Sequence, residues 1–388
     1  MTVLLGSDRL LESGLLEGHR VGLVSNPASI DARFEHTADR LAARRDLTLG
    51  ALFGPQHGFN ADVQDNMIET GHGRDERRRV PVYSLYSETR EPTGEMLAGL
   101  DDLVVDLQDV GARIYTFIYT MANCLRAAAR HHVHVIVCDR PNPIAGCAVE
   151  GPMLQPGYES FVGQFPIPMQ HGMTIGELAR LFNEHFGIGA RLTVMPMEGW
   201  RRPMYWDETG LPWVIPSPNM PTLDTAIVYP GMVLFEGTAL SEGRGTTRPF
   251  EISGAPWVDA RLASERLNGL RLPGAWFRPV GFEPTFHKFA HQACGGCQIH
   301  VTNRRAFQPV VAGVAVMAEY HRQNPERFAW RQPPYEYEHT KMPIDILAGS
   351  DALRRQIESD TPAREIAESW EAGVREFMQI RARYLLYE

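Results

Sequence analysis

The sequence lacks the features that would point to a nucleic acid or a membrane as its partner. It carries 38 Lys and Arg against 47 Asp and Glu, a formal net charge of −9, so it has no basic surplus to neutralise phosphates. No apolar run approaches the roughly 18 residues that a membrane helix needs. The first residues show neither the basic region nor the sustained apolar region of a signal peptide. We therefore expect a cytoplasmic protein with no nucleic-acid and no membrane partner.

The sequence is also poor in cysteine. Its five cysteines are odd in number and do not form the spaced pattern of a disulfide framework. Cys294 and Cys297 have the spacing of redox and metal sites, but no second pair and no His pattern accompanies them. The simpler interpretation is that these small residues lead into a strand.

Several motifs that would define an activity are missing. No GxGxxG follows the first apolar run, and no GxxxxGK[ST] occurs, so neither specific nucleotide-binding signature is present. The absence of G-x-S-x-G makes a serine hydrolase a poor fit. His57, His171, Asp106 and Asp109 are able to bind metal, but no HxxxH or HxH spacing joins them. We expect no cofactor and no metal.

The first half of the chain alternates short apolar runs with helical patterns. The runs are rich in Val, Leu and Ile, which is typical of strands buried on both faces of a parallel sheet. This alternation predicts an α/β fold with a doubly wound parallel sheet. The expected strands are 20–25, 47–53, 80–85, 103–107 and 133–138, and the expected helices between them are 35–45, 93–100 and 115–131.

The 388 residues suffice for two domains with cores of their own. A Pro-rich passage at 213–230 marks a boundary, so we assign 1–225 to the first domain. Residues 226–388 then form a smaller α/β or α+β domain that contributes to a cleft. Further elements are expected at 174–186, where Thr174 and Glu177 have capping-box spacing, and at 192–197, 298–302, 310–320 and 362–381.

Polar residues follow the predicted strands, and the carboxyl ends of parallel strands meet at one edge of a sheet, where ligands bind. We therefore expect the polar groups after four of the strands to converge on one cleft. These groups include Gln56 and His57, then Asp106, Gln108 and Asp109, and then Arg140 and Asn142.

The segment 235–250 is the richest in chemistry, with two carboxylates, two guanidinium groups and three glycines. Paired carboxylates carry out glycoside hydrolysis, in which one protonates the leaving oxygen and the other attacks or activates water. Arg binds an anionic substituent, and amides bind sugar hydroxyls. From the residues alone, the sequence indicates an α/β hydrolase or a binding protein for a polar small ligand.

The clusters taken together resemble a known family. Gly54-Pro55-Gln56-His57-Gly58, the segment 106–116, Asp139-Arg140-Pro141-Asn142-Pro143, Val149-Glu150-Gly151-Pro152, His171-Gly172-Met173-Thr174 and the 235–250 segment occur in the order found in the exo-β-N-acetylmuramidase (NamZ) family. The resemblance runs from about Gly22 to Tyr387. It implies a Rossmann-like N-terminal domain, a smaller C-terminal domain and a cleft between them. It also implies release of N-acetylmuramic acid from the non-reducing end of peptidoglycan fragments, so that the partner is a muropeptide-derived sugar.

One position departs from the family pattern, which has Glu where this chain has Gln56. An amide is neither a general acid nor a general base, so the resemblance implies an inactive or differently specialised protein if the family's acid lies there. Alternatively, Gln56 marks a subgroup whose carboxylate comes from elsewhere, such as Glu69. The competing functions are a non-catalytic sugar-binding protein and an amide or ester hydrolase.

For the catalytic pair we select Glu242, on the richest loop, and Glu150, whose neighbours Val149 and Gly151 are an apolar setting that raises a carboxyl pKa. Asp109 and Glu236 are in reserve, and each of the four could instead be a structural carboxylate paired with Arg. For the lactyl carboxylate of N-acetylmuramic acid we select Arg140 or Arg244, followed by Arg113. The full set of expected substrate-binding residues is Gln56, His57, Asp106, Gln108, Arg113, Arg140, Asn142, His171, Asn219 and Arg244.

Overall fold

The fold is taken from a computed structural model, which describes residues 2–65 and 67–388. The strands are β1 (Arg20–Ser25), β2 (Thr48–Gly54), β3 (Gly73–Asp75), β4 (Val80–Ser84), β5 (Asp102–Asp106), β6 (His134–Cys138), β7 (Glu150–Met153), β8 (Pro168–Gln170), β9 (Leu192–Met195), β10 (Ile252–Ala255), β11 (Ala275–Phe282) and β12 (Cys294–Val301). The helices are α1 (Gly6–Glu12), α2 (Thr37–Ala42), α3 (Gly94–Leu97), α4 (Phe117–His131), α5 (Ile175–Arg180), α6 (Leu223–Met232), α7 (Ala260–Gly269), α8 (Pro309–Gln323), α9 (Pro343–Ala348), α10 (Ala352–Glu358) and α11 (Ala363–Arg381).

Seven strands form one sheet in the order β3-β4-β2-β1-β5-β6-β9. Every neighbouring pair is parallel except β3 with β4, which is antiparallel at the edge. In the centre of the sheet, Leu23 lies opposite Leu52 and Val104, and Val104 lies opposite Ile136. The predicted parallel sheet is therefore confirmed, and each of the five predicted strands lies within one residue of its observed bounds.

Successive strand residues pack into two different cores, which is why these strands are apolar at nearly every position. Val104 packs on one face of the sheet with Leu41 of α2. Its neighbour Val105 packs on the other face with Met121 of α4. Helices thus cover both faces, as a doubly wound fold requires.

The predicted capping box at the start of α5 is present. The Thr174 side chain accepts a hydrogen bond from the Glu177 backbone N–H, and the Glu177 carboxylate accepts one from the Thr174 backbone N–H. The helix continues beyond α5 as a π-helical turn at Leu181–His185.

The second half of the chain contains a smaller antiparallel sheet in the order β10-β12-β11. Helix α8 is buried along most of its length and packs against α6, α7 and α11. Cys294 and Cys297 lie in β12, as the simpler interpretation of their spacing predicts, and both thiols are free. A separate two-stranded sheet joins β7 and β8.

The Pro-rich passage contains more structure than the sequence suggested. Helix α6 begins at Leu223, capped by the Thr222 side chain, and includes Pro230, so the division at 225/226 falls inside a helix. One hydrophobic core extends from α4 through α6 to α8. Within residues 2–65 and 67–388, no helix is long and apolar enough to cross a bilayer.

Candidate active site

One pocket receives residues from both halves of the chain, and we call it the acidic pocket. Its cavity is narrow, with a volume of about 40 Å³. The wall is formed by Gln56, His57, Ile114, Tyr115, Thr116, Phe117, Val162, Ser217, Asn219, Met220, Tyr229, Glu236, Arg244, Phe250, Tyr335 and Glu336.

Glu236 is the first carboxylate of the acidic pocket. It lies on a 3-10 turn, Val233–Gly237, which directly continues α6. The Arg244 guanidinium donates to its Oε1 at 2.5 Å, and the Tyr335 hydroxyl donates to its Oε2. The side chain is 4% exposed, so this carboxylate is fixed in a largely dry environment.

Two glycines position the Arg244 side chain. Gly243 and Gly245 have φ of 80° and 81°, a left-handed conformation that glycine adopts at little cost. A Cβ at Gly243 would lie 2.6 Å from the Ile252 carbonyl oxygen, and one at Gly245 would lie 2.5 Å from the Phe286 carbonyl oxygen. The loop is therefore pressed onto neighbouring backbone, which turns Arg244 inward.

Arg244 has donors to spare. Its Nη1 is buried and makes no hydrogen bond to any residue in the described part of the chain. Its guanidinium carbon lies 5.2 Å from the centre of the Phe250 ring, a cation–π distance. The acidic pocket thus contains a fixed cation with an unused N–H group, which suits an anionic ligand oxygen.

Glu242 lies behind Arg244 and does not line the acidic pocket. Burial by itself would raise its pKa, but Lys288, His287 and Arg244 hold the pKa well below its usual range. Lys288 Nζ lies 2.8 Å from Oε2, and His287 Nδ1 lies 3.3 Å from Oε1. The structure therefore places this candidate in an ion-pair cluster that supports the loop.

Glu336 is the second carboxylate of the acidic pocket, and no motif in the sequence pointed to it. Its Oε1 accepts a hydrogen bond from the Gln56 amide at 3.0 Å, and its Oε2 accepts one from the Tyr86 hydroxyl at 2.8 Å. Burial raises the pKa of Glu336 to about 7, and the charge of Glu236 raises it further. The hydrogen bonds from Tyr86 and Gln56 lower the pKa and offset part of this rise. Glu336 is therefore protonated in a large fraction of molecules near neutral pH.

Gln56 belongs to a chain of hydrogen bonds that ends on Glu336. The Thr116 hydroxyl donates to the Gln56 Oε1 at 2.7 Å, and the Gln56 Nε2 donates to Glu336. This arrangement fixes the orientation of the amide. The residue that departs from the family motif thus positions a carboxyl group from the other half of the chain.

His57 also lines the acidic pocket. Its Nδ1 lies 2.8 Å from the Val63 carbonyl oxygen, so Nδ1 carries the proton and Nε2 carries a lone pair. Burial lowers the pKa of His57 to about 4, which keeps the ring neutral at physiological pH. Asn219, another expected residue on the wall, is held by two hydrogen bonds to Gln64.

The remaining strand-end residues mostly bind one another. Arg140 forms a two-point ion pair with Asp106, at 2.5 and 2.9 Å, and the Thr37 hydroxyl also donates to Asp106. The Gln108 amide donates to the carbonyl oxygens of Asp109 and Pro141. These groups converge on one sheet edge, but they stabilise it from within and do not line the acidic pocket.

Four other candidates lie in structural networks. Arg113 donates to the carbonyl oxygens of Pro152, Ile167 and Leu347, and burial lowers its pKa to about 10. The Asn142 amide donates to the Met173 carbonyl oxygen. His171 Nε2 lies 3.5 Å from Asp109 Oδ2, which also accepts from the Gly111 backbone N–H.

Glu150 lies apart from the acidic pocket. Its Oε1 accepts a hydrogen bond from the Val311 backbone N–H at 2.8 Å, so the carboxyl group caps the N-terminus of α8. Burial raises its pKa to about 7, as its apolar neighbours suggested, but it lines a different cavity with Trp370 and Val374. Glu69, the other alternative, is exposed and pairs with Arg90 at 3.3 Å. The structure thus brings together Glu236 and Glu336, and not Glu150 and Glu242.

Little in the sequence marked Glu336. It lies in a loop after Pro333-Pro334, between Tyr335 and Tyr337, and this alternation of acidic and aromatic residues was the available signal. Within residues 2–65 and 67–388, no group of three His, Cys, Asp or Glu side chains is arranged to hold a metal ion.

The doubly wound sheet, the smaller second unit and a pocket with two buried carboxylates define an α/β protein with the groups that glycoside hydrolysis requires. Comparison with known families agrees with that class. The chain belongs to the exo-β-N-acetylmuramidase NamZ family, whose N-terminal model matches residues 21–224 and whose C-terminal model matches residues 227–387.

Relatives of known name or structure match nearly the whole chain. The chain is 47% identical to the peptidoglycan β-N-acetylmuramidase NamZ of Bacillus subtilis (strain 168) over 96% of this chain and 88% of that protein. Two crystal structures of DUF1343 family proteins from Bacteroides fragilis have the same fold. One is 35% identical with a TM-score of 0.90, the other is 28% identical with a TM-score of 0.79, and each comparison covers 100% of this chain and 99% of the other.

Proposed function

We propose that this protein is an exo-β-N-acetylmuramidase, a glycoside hydrolase that releases N-acetylmuramic acid from the non-reducing end of peptidoglycan fragments. The main support is that Glu236 and Glu336 lie together in one buried pocket of a chain from the NamZ family. The named activity of the Bacillus subtilis relative supports the same reaction. The substrate is a soluble muropeptide-derived sugar, and the place of action is the cytoplasm.

The two carboxylates take different roles because their surroundings differ. Glu336, with a pKa of about 7, is the general acid. Its proton passes to the glycosidic oxygen as the bond from that oxygen to C1 breaks. Glu236, held as an ion pair by Arg244, stabilises the positive charge that develops at C1 and either attacks it or activates a water molecule. Water supplies the hydroxyl group that ends on C1, and its second proton restores the acid.

Arg244 is the residue that recognises N-acetylmuramic acid. This sugar carries a lactyl carboxylate, and Arg binds carboxylates through paired N–H groups. Arg140 and Arg113, the other candidates, have committed their guanidinium groups to Asp106 and to backbone carbonyls. The unused Nη1 of Arg244 supports this choice.

The acidic pocket lies where the two predicted domains meet. Although the division at 225/226 falls inside a helix, this position supports it as a division between two parts of the chain that each contribute residues to the site. Gln56, His57 and Tyr115 come from the first domain, while Glu236 and Glu336 come from the second.

Incubation of the protein with 4-nitrophenyl β-N-acetylmuraminide tests the activity directly. Nitrophenol release by the wild type, with loss of about a hundredfold in Glu236→Gln, is the expected result, since Glu236 acts on the reacting carbon. The matched control is Glu326→Gln, because Glu326 is exposed on the surface. Saturable binding of N-acetylmuramic acid without turnover would instead favour the non-catalytic sugar-binding protein, which Gln56 makes the second candidate.

A further inference from the structure

A second cavity lies directly beside the acidic pocket, and we call it the outer cavity. It has a volume of about 400 Å³ and opens to solvent. Glu336 lines both cavities, so the two cavities meet at this residue. On the outer side, Tyr337 lies next to Glu336, and Phe161 and Arg126 also belong to the wall.

The junction is built from an unusual turn. The backbones of Tyr335 and Glu338 exchange two hydrogen bonds, both of 2.9 Å, around the two central residues Glu336 and Tyr337. These central residues have φ of 45° and 67°, the left-handed region that two-residue turns normally fill with Asn and Gly. Strain of this kind persists where surrounding contacts hold it, and it is concentrated at functional sites.

The turn directs its two central side chains to different environments. Glu336 is 3% exposed and contacts Gln56 and Tyr86, whereas Tyr337 is 40% exposed. One tight turn therefore presents a carboxyl group to the acidic pocket and an aromatic ring to the outer cavity.

The outer cavity offers the groups that a sugar ring needs. Phe161 and Tyr337 line the cavity in edge-to-face contact, with ring centres 6.1 Å apart, and the Arg90 guanidinium lies over the Tyr337 ring at 3.3 Å. Arg126 is fixed by the side chains of Asn123, at 2.8 Å, and Gln164, which orients a planar donor group. The positive charges of Arg90 and Arg126 are balanced by Glu91 and Glu338 in the same wall, so the cavity suits a neutral ring and not an anionic one.

We propose that the outer cavity is the leaving-group subsite, which binds the neutral N-acetylhexosamine ring released with the glycosidic oxygen. This inference rests on the proposed function, because an acid that protonates a glycosidic oxygen lies between the two rings that the oxygen joins. Glu336 is in that position relative to the two cavities. The ring packs against Phe161 and Tyr337, and Arg126 donates to its hydroxyl or acetamido oxygens.

The test compares two substrates that differ in what enters the outer cavity. Because fluoride also departs without a proton, the effect on KM is the informative readout. N-acetylmuraminyl-β-1,4-N-acetylglucosamine places a sugar there, whereas N-acetylmuraminyl β-fluoride places a single atom. Phe161→Ala should lower kcat/KM for the disaccharide by about tenfold more than for the fluoride, mainly through KM, because the ring loses apolar contact. Arg126→Gln should also lower the ratio of kcat/KM for the disaccharide over that for the fluoride. This second variant provides the test if Phe161→Ala folds poorly.

Phe34→Ala is the matched control, since Phe34 is 66% exposed and lies outside both cavities. It should leave the ratio of the two kcat/KM values as in the wild type. Equal losses on both substrates in Phe161→Ala and Arg126→Gln, or no loss on either, would overturn the subsite while leaving the proposed function intact. A wild type that hydrolyses neither substrate would overturn the proposed function itself, and the subsite with it.

Discussion

The Gln56 side-chain amide donates a hydrogen bond to the Glu336 carboxyl group at 3.0 Å, across 280 positions of sequence. The contact joins the loop after β2 to a turn near the end of the chain. It gives a physical meaning to the departure from the family motif, since the amide orients a carboxyl group that lies beside it. In the proposed mechanism, the loss of one carboxylate at position 56 therefore does not remove acid chemistry from the acidic pocket.

The pH dependence of catalysis should reflect Glu336. A general acid works only when protonated, so activity is full below its pKa and is lost as the pH rises above it. With the pKa of Glu336 at about 7, kcat/KM for the disaccharide should fall by about tenfold for each pH unit well above this value. A rate that stays constant between about pH 6 and 9 would show that another group supplies the proton.

Gln56→Glu should move this alkaline limb to higher pH. A carboxyl group at position 56 would lie within hydrogen-bond distance of Glu336, and two such groups share one proton and release it with difficulty. The pH profile of kcat/KM measures the shift, with Gln155→Glu, at an exposed position, as the control. An inactive wild type that becomes active in Gln56→Glu would contradict the role of Glu336 and show that the amide had silenced the protein.

Arg244→Ala should abolish the preference for muramic acid. We expect the ratio of kcat/KM for aryl β-N-acetylmuraminide over aryl β-N-acetylglucosaminide to fall by about thirtyfold, since a charge-assisted hydrogen bond contributes about 2 kcal/mol. Both rates should also fall, because Glu236 loses its ion pair with Arg244, so the ratio is the informative quantity. Arg248→Ala is the control on the same loop, where the side chain is 46% exposed and pairs with Glu251. A selectivity that survives in Arg244→Ala would assign recognition of the lactyl group elsewhere.

Glu150→Gln should change stability and its pH dependence more than catalysis. Burial raises the pKa of Glu150 from 4.5 to about 7, so the folded state prefers the neutral carboxyl group. Its contribution to stability is complete below about pH 4.5 and is lost as the pH rises through about 7, which amounts to about 3 kcal/mol. The wild type should therefore lose free energy of unfolding between pH 5 and pH 8. Glu150→Gln lacks this titrating group, so its free energy of unfolding should rise relative to that of the wild type over the same interval.

Urea unfolding at the two pH values measures this gain, with the exposed Glu265→Gln as the control. Activity provides a second check on the same variant. A loss of about a hundredfold with unchanged stability would return Glu150 to the catalytic mechanism.

The sheet could be predicted from sequence because its strands are short, apolar and separated by helical patterns, a signal that local reading detects. The side chains that meet in the acidic pocket could be predicted only in part. Gln56, His57 and Arg244 follow recognisable motifs and line the wall, whereas Asp106 and Arg140 follow equally clear motifs and bind each other. Whether a polar residue at a strand end faces a ligand or a neighbouring strand depends on packing that spacing does not encode.

Glu336 is the opposite case, a residue without a recognisable motif that nevertheless lines the acidic pocket. Its role depends on contacts with Gln56 and Tyr86, which lie 280 and 250 positions away, and on a turn whose central residues lack the usual Asn and Gly. Glu242 and Glu150 looked equally suitable in sequence. Glu242 forms an ion pair with Lys288, and Glu150 accepts a hydrogen bond from the N-terminus of α8. Neither contact can be inferred from the residues next to these two glutamates in the sequence.

The most direct test of the acid assignment is the dependence of Glu336→Gln on the leaving group. A 2,4-dinitrophenolate departs without a proton, whereas a sugar hydroxyl must be protonated as it leaves. We expect Glu336→Gln to lower kcat/KM for the N-acetylmuraminyl disaccharide by about a hundredfold or more, and for the 2,4-dinitrophenyl β-N-acetylmuraminide by less than about tenfold. Equal losses on the two substrates would contradict the assignment of Glu336 as the general acid.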